Sequence, residues 1–169
     1  MVSLRPGKID RKVIGPSYTR KEYVRSVPGC KVVHFDMGAR NKSFSHAVHL
    51  IVENDVQLRH NCLEASRVVT NRYMEKIIGK DMFHLKMRTY PHQILRMNAM
   101  ATGNKADRYG NGMRLSFGKT VGLAARCRKG QKVITAYVDE NNVLKAKASL
   151  KKAGYKLPVK SKIVIEKMA

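Results

Sequence analysis

Residues 48–88 read VHLIVENDVQLRHNCLEASRVVTNRYMEKIIGKDMFHLKMR. Val48–Val52 is a short, nearly continuous apolar run, the pattern of a buried strand. Asn54 or Asp55 is placed to cap a following helix. In that helix Leu58, Cys62, Ala65, Val69, Tyr73 and Ile77 recur at steps of three and four and define an apolar face. Gly79 stops the helix, because a left-handed C-terminal cap costs glycine nothing. Residues 83–88 then alternate: Phe83, Leu85 and Met87 face one way, His84, Lys86 and Arg88 the other. That pattern predicts a half-buried strand with one basic face.

Downstream, 120–127 and 132–138 read as two strands joined by the tight turn Arg128-Lys129-Gly130-Gln131. A second helix follows, with Val143, Ala146, Leu150 and Ala153 as its apolar stripe, Lys145 and Lys152 opposite, and Gly154 at its end. Residues 162–166 supply a last strand. The order is roughly β-β-α-β-β-β-α-β, which predicts an α+β fold: a mixed sheet with two helices packed on it.

The sequence has 169 residues, enough for one domain with a proper core. Its 34 Lys and Arg against 12 Asp and Glu give a net charge of +22. Such a chain repels itself and calls for a polyanion. A membrane surface fits poorly, because no basic amphipathic anchor is present, so nucleic acid is the better partner. No run of about 18 apolar residues suggests a membrane span. The N-terminal stretch lacks the apolar segment of a signal peptide, and Val2 does not match a myristoylation signal. Cys30, Cys62 and Cys127 are odd in number and widely spaced, which points to buried thiols in a reducing compartment.

The charge is unevenly distributed. Residues 1–31 carry eight basic and two acidic side chains, with Pro6, Gly7, Gly15, Pro16, Pro28 and Gly29 and no clear period. They predict an extended basic arm that gains order on binding, ahead of a single domain over 32–169. Residues 145–169 carry eight lysines against Glu166 alone, whereas 32–83 are close to balanced.

Residues 97–118, MNAMATGNKADRYGNGMRLSFG, hold four glycines, no Val or Ile and no stable period. An inserted loop of about 20 residues is uncommon inside a domain and is usually functional. Glycine admits close backbone approach, arginine forks match phosphates, and Tyr109 and Phe117 offer stacking surfaces. The stretch predicts a basic probe that enters a negatively charged cleft. Residues 112–120, GMRLSFGKT, resemble a P-loop but place five residues between the glycines instead of four, and a strand follows instead of a helix. Gly110-x-Gly112 is too short for a dinucleotide site. His46 and His49 fall on opposite faces of a strand, and His60 and Cys62 diverge around a helix, so no metal or cofactor is expected. Asp107 is the only acid in the loop and no His lies there, which leaves no catalytic pair and predicts no enzyme. A stand-alone RNA-binding or RNA-modifying protein is the alternative reading.

Several stretches together carry a family likeness: VPGCKVVHFDMG (27–38), EASRVVTNRYMEKIIGKDMFHLKMR (64–88), HQILRMN (92–98) and above all KADRYGNGMRLSFGK (105–119). With these, nearly the whole chain resembles the universal large-ribosomal-subunit protein L-sixteen family, in the L-ten-e type of archaea and eukaryotes. The archaeal form is the nearer match, since eukaryotic members carry a C-terminal extension that includes Trp and this sequence has no Trp.

The resemblance implies an α+β sandwich with a hammerhead-like β element and a structural role in the large subunit of the cytoplasmic ribosome. The chain would lie among large-subunit rRNA helices, near the small rRNA of that subunit and neighbouring ribosomal proteins. The loop would point toward the peptidyl-transferase centre and the tRNA acceptor ends. Its members here are Asn98, Gly103, Asp107, Arg108, Tyr109, Gly110, Gly112, Met113, Arg114, Phe117 and Gly118, with Arg96 at its base. The cations expected to meet RNA are Arg5, Lys8, Arg11, Lys12, Arg20, Lys21 and Arg25 of the arm, Arg88, Arg96, and Lys105, Arg108, Arg114 and Lys119 of the loop. Arg108 and Arg114 are expected on rRNA or tRNA phosphates. Asp107 is expected either to fix the loop through a backbone bond or an arginine pair, or to stay solvated.

Overall fold

The apolar run around Val48 forms the centre of a sheet in a computed structural model of the chain, which describes residues 6–100, 103–108 and 110–168. Eight strands are present among these residues: β1 (Asp36–Gly38), β2 (His46–Val52), β3 (Val56–Arg59), β4 (Phe83–Met87), β5 (Gln93–Met97), β6 (Lys119–Cys127), β7 (Lys132–Val138) and β8 (Ser161–Lys167). Three α-helices accompany them: a single turn α1 (Gly7–Asp10), the long α2 (His60–Ile77) and α3 (Val143–Gly154). The α+β class is therefore as expected.

The expected single mixed sheet is replaced by two antiparallel ones. Five strands lie in the order β1-β4-β7-β2-β8 and three in the order β3-β6-β5. Every pairing is antiparallel, with Leu85 opposite Ala136, Ala136 opposite Val48, and Val48 opposite Ile165. The turn at 128–131 does not close a hairpin. Gly130 takes φ +82 there, and the chain leaves β6 in one sheet to enter β7 in the other. The turn is held from outside by Val52, whose N–H bonds Gln131 O and whose carbonyl accepts from Gly130 N.

Two further expectations are corrected in the stretch that follows β2. Asn54 and Asp55 cap no helix, because Val56–Arg59 first pair with β6 and the helix starts only at His60. Asp55 Oδ1 instead accepts the Lys129 backbone N–H at 2.7 Å, fixing the 128–131 turn. Leu58 is thus a strand residue, and the buried face of α2 is rotated from the expected one. Leu63, Ser66, Thr70 and Met74 are buried, while Ile77 is 40% exposed. Two of these four are hydroxyl residues. Ser66 Oγ donates to Cys62 O and Ala153 O, and Thr70 Oγ1 to Ser66 O, so neither is buried without a partner.

The small size of these side chains admits α3, which presents Ala146, Ser149 and Ala153 to them. Ser149 Oγ bonds Thr70 O at 3.1 Å. Leu58, Leu63, Phe83, Leu85, Ile134 and Leu150 close the common core of both sheets and the two long helices. Each such side chain contributes roughly 1.5–3 kcal/mol through burial. Strand β4 keeps its predicted alternation, with Phe83, Leu85 and Met87 buried.

Candidate nucleic-acid interface

The candidate surface centres on the three-stranded sheet, whose two edges are each bonded by the N-terminal arm. At one edge Gln57 of β3 donates its N–H to Arg11 O at 2.8 Å and its side-chain amide to Asp10 O. At the other, Tyr18 O accepts from Ile94 N of β5, and Tyr18 N donates to Gln93 Oε1 at 2.7 Å. Between those points the arm crosses the middle strand and is clasped by Arg126 of β6. The guanidinium donates to the carbonyls of Ile14, Gly15 and Pro16, and its Nε to Gln57 Oε1. Farther along, Ser26 O accepts from Thr120 Oγ1 at 2.6 Å, and Lys31 N donates to His60 Nδ1. Over residues 6–31 the arm holds no α-helix or strand besides α1, and one short turn at 21–23. Its backbone is spent on the sheet, while Lys8, Arg11, Lys12, Arg20, Lys21 and Arg25 are exposed.

The loop leaves the sheet from the end of β5 and returns at the start of β6. Its neck is narrow. Gly118 packs so closely on the facing strand that a Cβ there would lie 2.4 Å from Met97 C and 2.7 Å from Asn98 N. Only a residue without a side chain fits. Arg96 locks the same point, with Nη1 donating to Gly118 O at 3.1 Å and the guanidinium 4.5 Å from the centre of the Phe117 ring, a cation–π contact. Asn98 Nδ2 bonds Gly112 O across the loop. Inside it a short helical turn at 106–108 and the bonds Ala106 N to Gly103 O and Gly110 N to Ala106 O hold the backbone. Gly103 and Gly112 have positive φ, as does Leu115, a conformation unusual for a branched side chain.

Beyond the neck most of the described side chains of the loop face solvent. Met100, Met113, Leu115 and Phe117 are exposed, Leu115 by 82%. Lys105, Arg108, Arg114 and Lys119 are exposed as well. None of these four lies within salt-bridge distance of a carboxylate among the described residues. Exposed cations beside exposed apolar groups suit a surface that meets phosphates and bases together. Arg5, Tyr109 and the side chain of Asp107 lie outside the described residues, and with them the expected roles of Tyr109 and Asp107.

Arg88 is not part of this cluster. It lies on the outer face of the five-stranded sheet, where Nη2 donates to Tyr137 Oη at 2.8 Å and Nε to Thr135 Oγ1. The same face carries a polar chain that runs from the buried Thr135 and His49 out to Glu166 and Lys132. Thr135 Oγ1 meets His49 Nδ1 at 2.9 Å, His49 Nε2 meets Glu166 Oε2 at 3.0 Å, and Glu166 pairs with Lys132. Burial holds the His49 imidazole below its usual range, against the opposing pull of Glu166. Lys132 holds the Glu166 carboxyl below the usual carboxylate range.

Arg126 is the arm-holding residue that the sequence reading missed. Its alternation with apolar Ala125 and Cys127 in a strand was a signal of an outward-facing cation, but nothing local names the arm carbonyls it holds. The three thiols are free; Cys127 is buried, and burial pushes Cys62 up to about 11 and Cys127 to about 12.

The family described as ribosomal protein L16p/L10e matches residues 14–164. Among individual relatives, the large ribosomal subunit protein uL16 of Methanococcus aeolicus is 51% identical over 168 residues, covering 99% of this chain and 97% of its own length. The protein of the same name from Methanocella arvoryzae is 48% identical over 165 residues, covering 98% and 96%. That from Methanospirillum hungatei is 48% identical over 162 residues, covering 96% and 95%.

Proposed function

Because the chain belongs to the ribosomal protein L16p/L10e family and is a structural constituent of the large ribosomal subunit, we propose that it binds large-subunit rRNA through its arm and loop and extends residues 97–118 toward the peptidyl-transferase centre. The tip of the loop meets the acceptor ends of tRNA. The chemistry belongs to the RNA; the chain positions and stabilises. In this reading the three-stranded sheet with the arm laid across it is the hammerhead-like element expected of the family. The small rRNA and neighbouring ribosomal proteins are close by, in the cytoplasmic ribosome.

The observation that carries this reading is the contrast between neck and tip. The neck is fixed by Gly118, Arg96 and Phe117, while the tip leaves Lys105, Arg108 and Arg114 without an ion pair among the described residues and exposes Met113 and Leu115. A rigid stalk with an unsatisfied basic end suits insertion into an RNA cleft, where neutralised phosphates release counterions.

The test is gradient sedimentation of subunits containing the wild-type chain or the Arg108→Ala/Arg114→Ala variant, with tRNA retention measured on the large-subunit fraction. Wild type should be stoichiometric in large subunits after a moderate salt wash, and the variant should assemble but hold tRNA more weakly. Equal tRNA retention by the two would remove the loop from the site. A chain found mainly outside ribosomal fractions would overturn the whole reading.

A further inference from the structure

Two open grooves meet at Tyr155, the residue that follows α3. One, of about 650 Å³, runs toward the arm and is bordered by Arg11, Lys12, Asp55 and Lys160. The other, of about 430 Å³, is bordered by Glu53, Lys151 and again Lys160. Tyr155 lines both and is 74% exposed. An aromatic side chain of that size usually buries most of its surface, and here it stands in the open with space beside it.

The charge around it comes from segments far apart in sequence. Arg11 belongs to the arm and is fastened here by an Nη1 bond to Pro158 O at 3.5 Å, across 147 positions. Lys151 is in the last turn of α3, and Lys160 precedes β8. Against these cations stand Glu53 and Asp55, and Asp55 is already engaged by the Lys129 backbone N–H. Among the described residues no carboxylate lies within 4 Å of Lys12, Lys151 or Lys160. Folding thus gathers four cations around an exposed ring against two carboxylates, and the excess of positive charge suits a polyanion.

This place is separate from the loop. The loop emerges at the start of β6, whereas Asp55 and Lys129 meet just beyond its other end, and nine residues of strand span about 30 Å.

The geometry points to a second RNA-binding site, in which an unpaired base stacks on Tyr155 and its flanking phosphates lie on Lys151 and Lys160 to one side and on Arg11 and Lys12 to the other. Stacking on an aromatic face tolerates any base, and the lysines track the backbone as point charges. The inference rests on the rRNA-binding reading above and adds a contact at the opposite end of the three-stranded sheet.

The experiment titrates the purified full chain with large-subunit rRNA over a range of salt, for wild type, Tyr155→Ala, Tyr155→Phe and Lys151→Ala/Lys160→Ala. Tyr155→Ala should weaken binding about tenfold, and Tyr155→Phe should bind as wild type does because the ring is kept. The double lysine variant should flatten the salt dependence by about 1.5 in log–log slope. In parallel, ultraviolet irradiation of assembled large subunits should leave a nucleotide on the peptide that contains Tyr155. Unchanged affinity and slope in the variants, with wild type binding normally, would overturn this site and leave the ribosomal reading standing. A crosslink from Tyr155 to another protein in place of a nucleotide would overturn it too. Wild type failing to bind rRNA at any salt would overturn both readings.

Discussion

Arg126 donates from Nη1 to the carbonyl oxygen of Gly15 at 2.9 Å, a contact across 111 positions that ties the arm to the middle strand of the smaller sheet. The neighbouring carbonyls of Ile14 and Pro16 accept from Nη2. A planar fork with several donors suits this task, and a lysine would serve one carbonyl at a time. Arg126→Ala should therefore release the crossing segment while leaving the sheet paired. The cost should be about 1.5–3 kcal/mol, the range for hydrogen bonds to a charged group. Limited proteolysis reads it directly: cleavage between residues 12 and 25 should accelerate in Arg126→Ala and only partly revert in Arg126→Lys. Equal cleavage in all three would mean that the edge contacts at Gln57 and Tyr18 suffice.

Gly118→Ala should disable the loop without unfolding the domain. The added methyl would sit 2.4 Å from Met97 C, against backbone that cannot turn away as a side chain can. The neck must open, breaking the Arg96 bond to Gly118 O and shifting Phe117 off the guanidinium. Gly112→Ala is the comparison. It has open space around it but a φ of +60, so its cost is conformational only, about 1 kcal/mol. Incorporation into large subunits should fall sharply for Gly118→Ala and little for Gly112→Ala, with melting temperatures close to wild type in both. A matched loss in the two variants would show that loop conformation matters more than its neck.

The packing of α2 on α3 makes a prediction opposite to the one that hydrophobicity suggests. Ile77 is 40% exposed near the end of the helix, so Ile77→Ser should change stability by no more than about 0.5 kcal/mol. Ser66 is fully buried against Ala153, so Ser66→Leu should cost about 3 kcal/mol through overpacking and loss of the bond to Ala153 O. Denaturant melts of the two variants separate these cases, and a larger loss in Ile77→Ser would refute the observed helix face.

Legibility follows from how local the determining interaction is. The alternation of 83–88 and the stripe of α3 are set by each segment's own side chains, and both were readable. The face of α2 was misread because its buried stripe contains Ser66 and Thr70, whose hydroxyls are satisfied by carbonyls within and beyond the helix. Strand β3 was hidden because four residues are too few to show a period, and it exists by pairing with β6. The loop was legible from its four glycines and its lack of Val and Ile. The path of the arm was not, since Gln57, Gln93 and Arg126 fix it through bonds to backbone atoms far away in sequence. The convergence of Arg11 with Lys160 depends on that same path.

The thiols differ in reactivity for reasons visible in their surroundings. Burial raises Cys62 to about 11 and Cys127 to about 12, so both stay protonated at neutral pH, and the thiolate is the reactive species. Brief alkylation of the native chain should mark Cys30 and spare the other two. All three should react once denaturant is added. Early labelling of Cys127 would mean that the core opens locally around β6.

Acid should destabilise the fold in two steps, one from His49 together with His60 and a smaller one from the exposed Glu166–Lys132 pair. The His49 imidazole lies below its usual 6.5 in the folded chain because burial disfavours its charged form. Between that lowered value and 6.5 the unfolded chain binds more protons, so stability is complete above 6.5 and declines as pH falls below it. His60 is lowered too, chiefly by burial, and adds to the same step. The Glu166 carboxyl is held below 4.5 by Lys132, so its contribution is present above 4.5 and is lost at lower pH as the folded group takes up its proton. Melting temperatures between pH 8 and pH 3 should therefore be flat at first, fall below about 6.5 and fall again below about 4.5. His49→Gln should shrink the first step and leave a remainder from His60, while Lys132→Ala should shrink the second. A first step unchanged in His49→Gln would assign it to His60 alone and would mean that the His49–Glu166 contact compensates the burial of the ring.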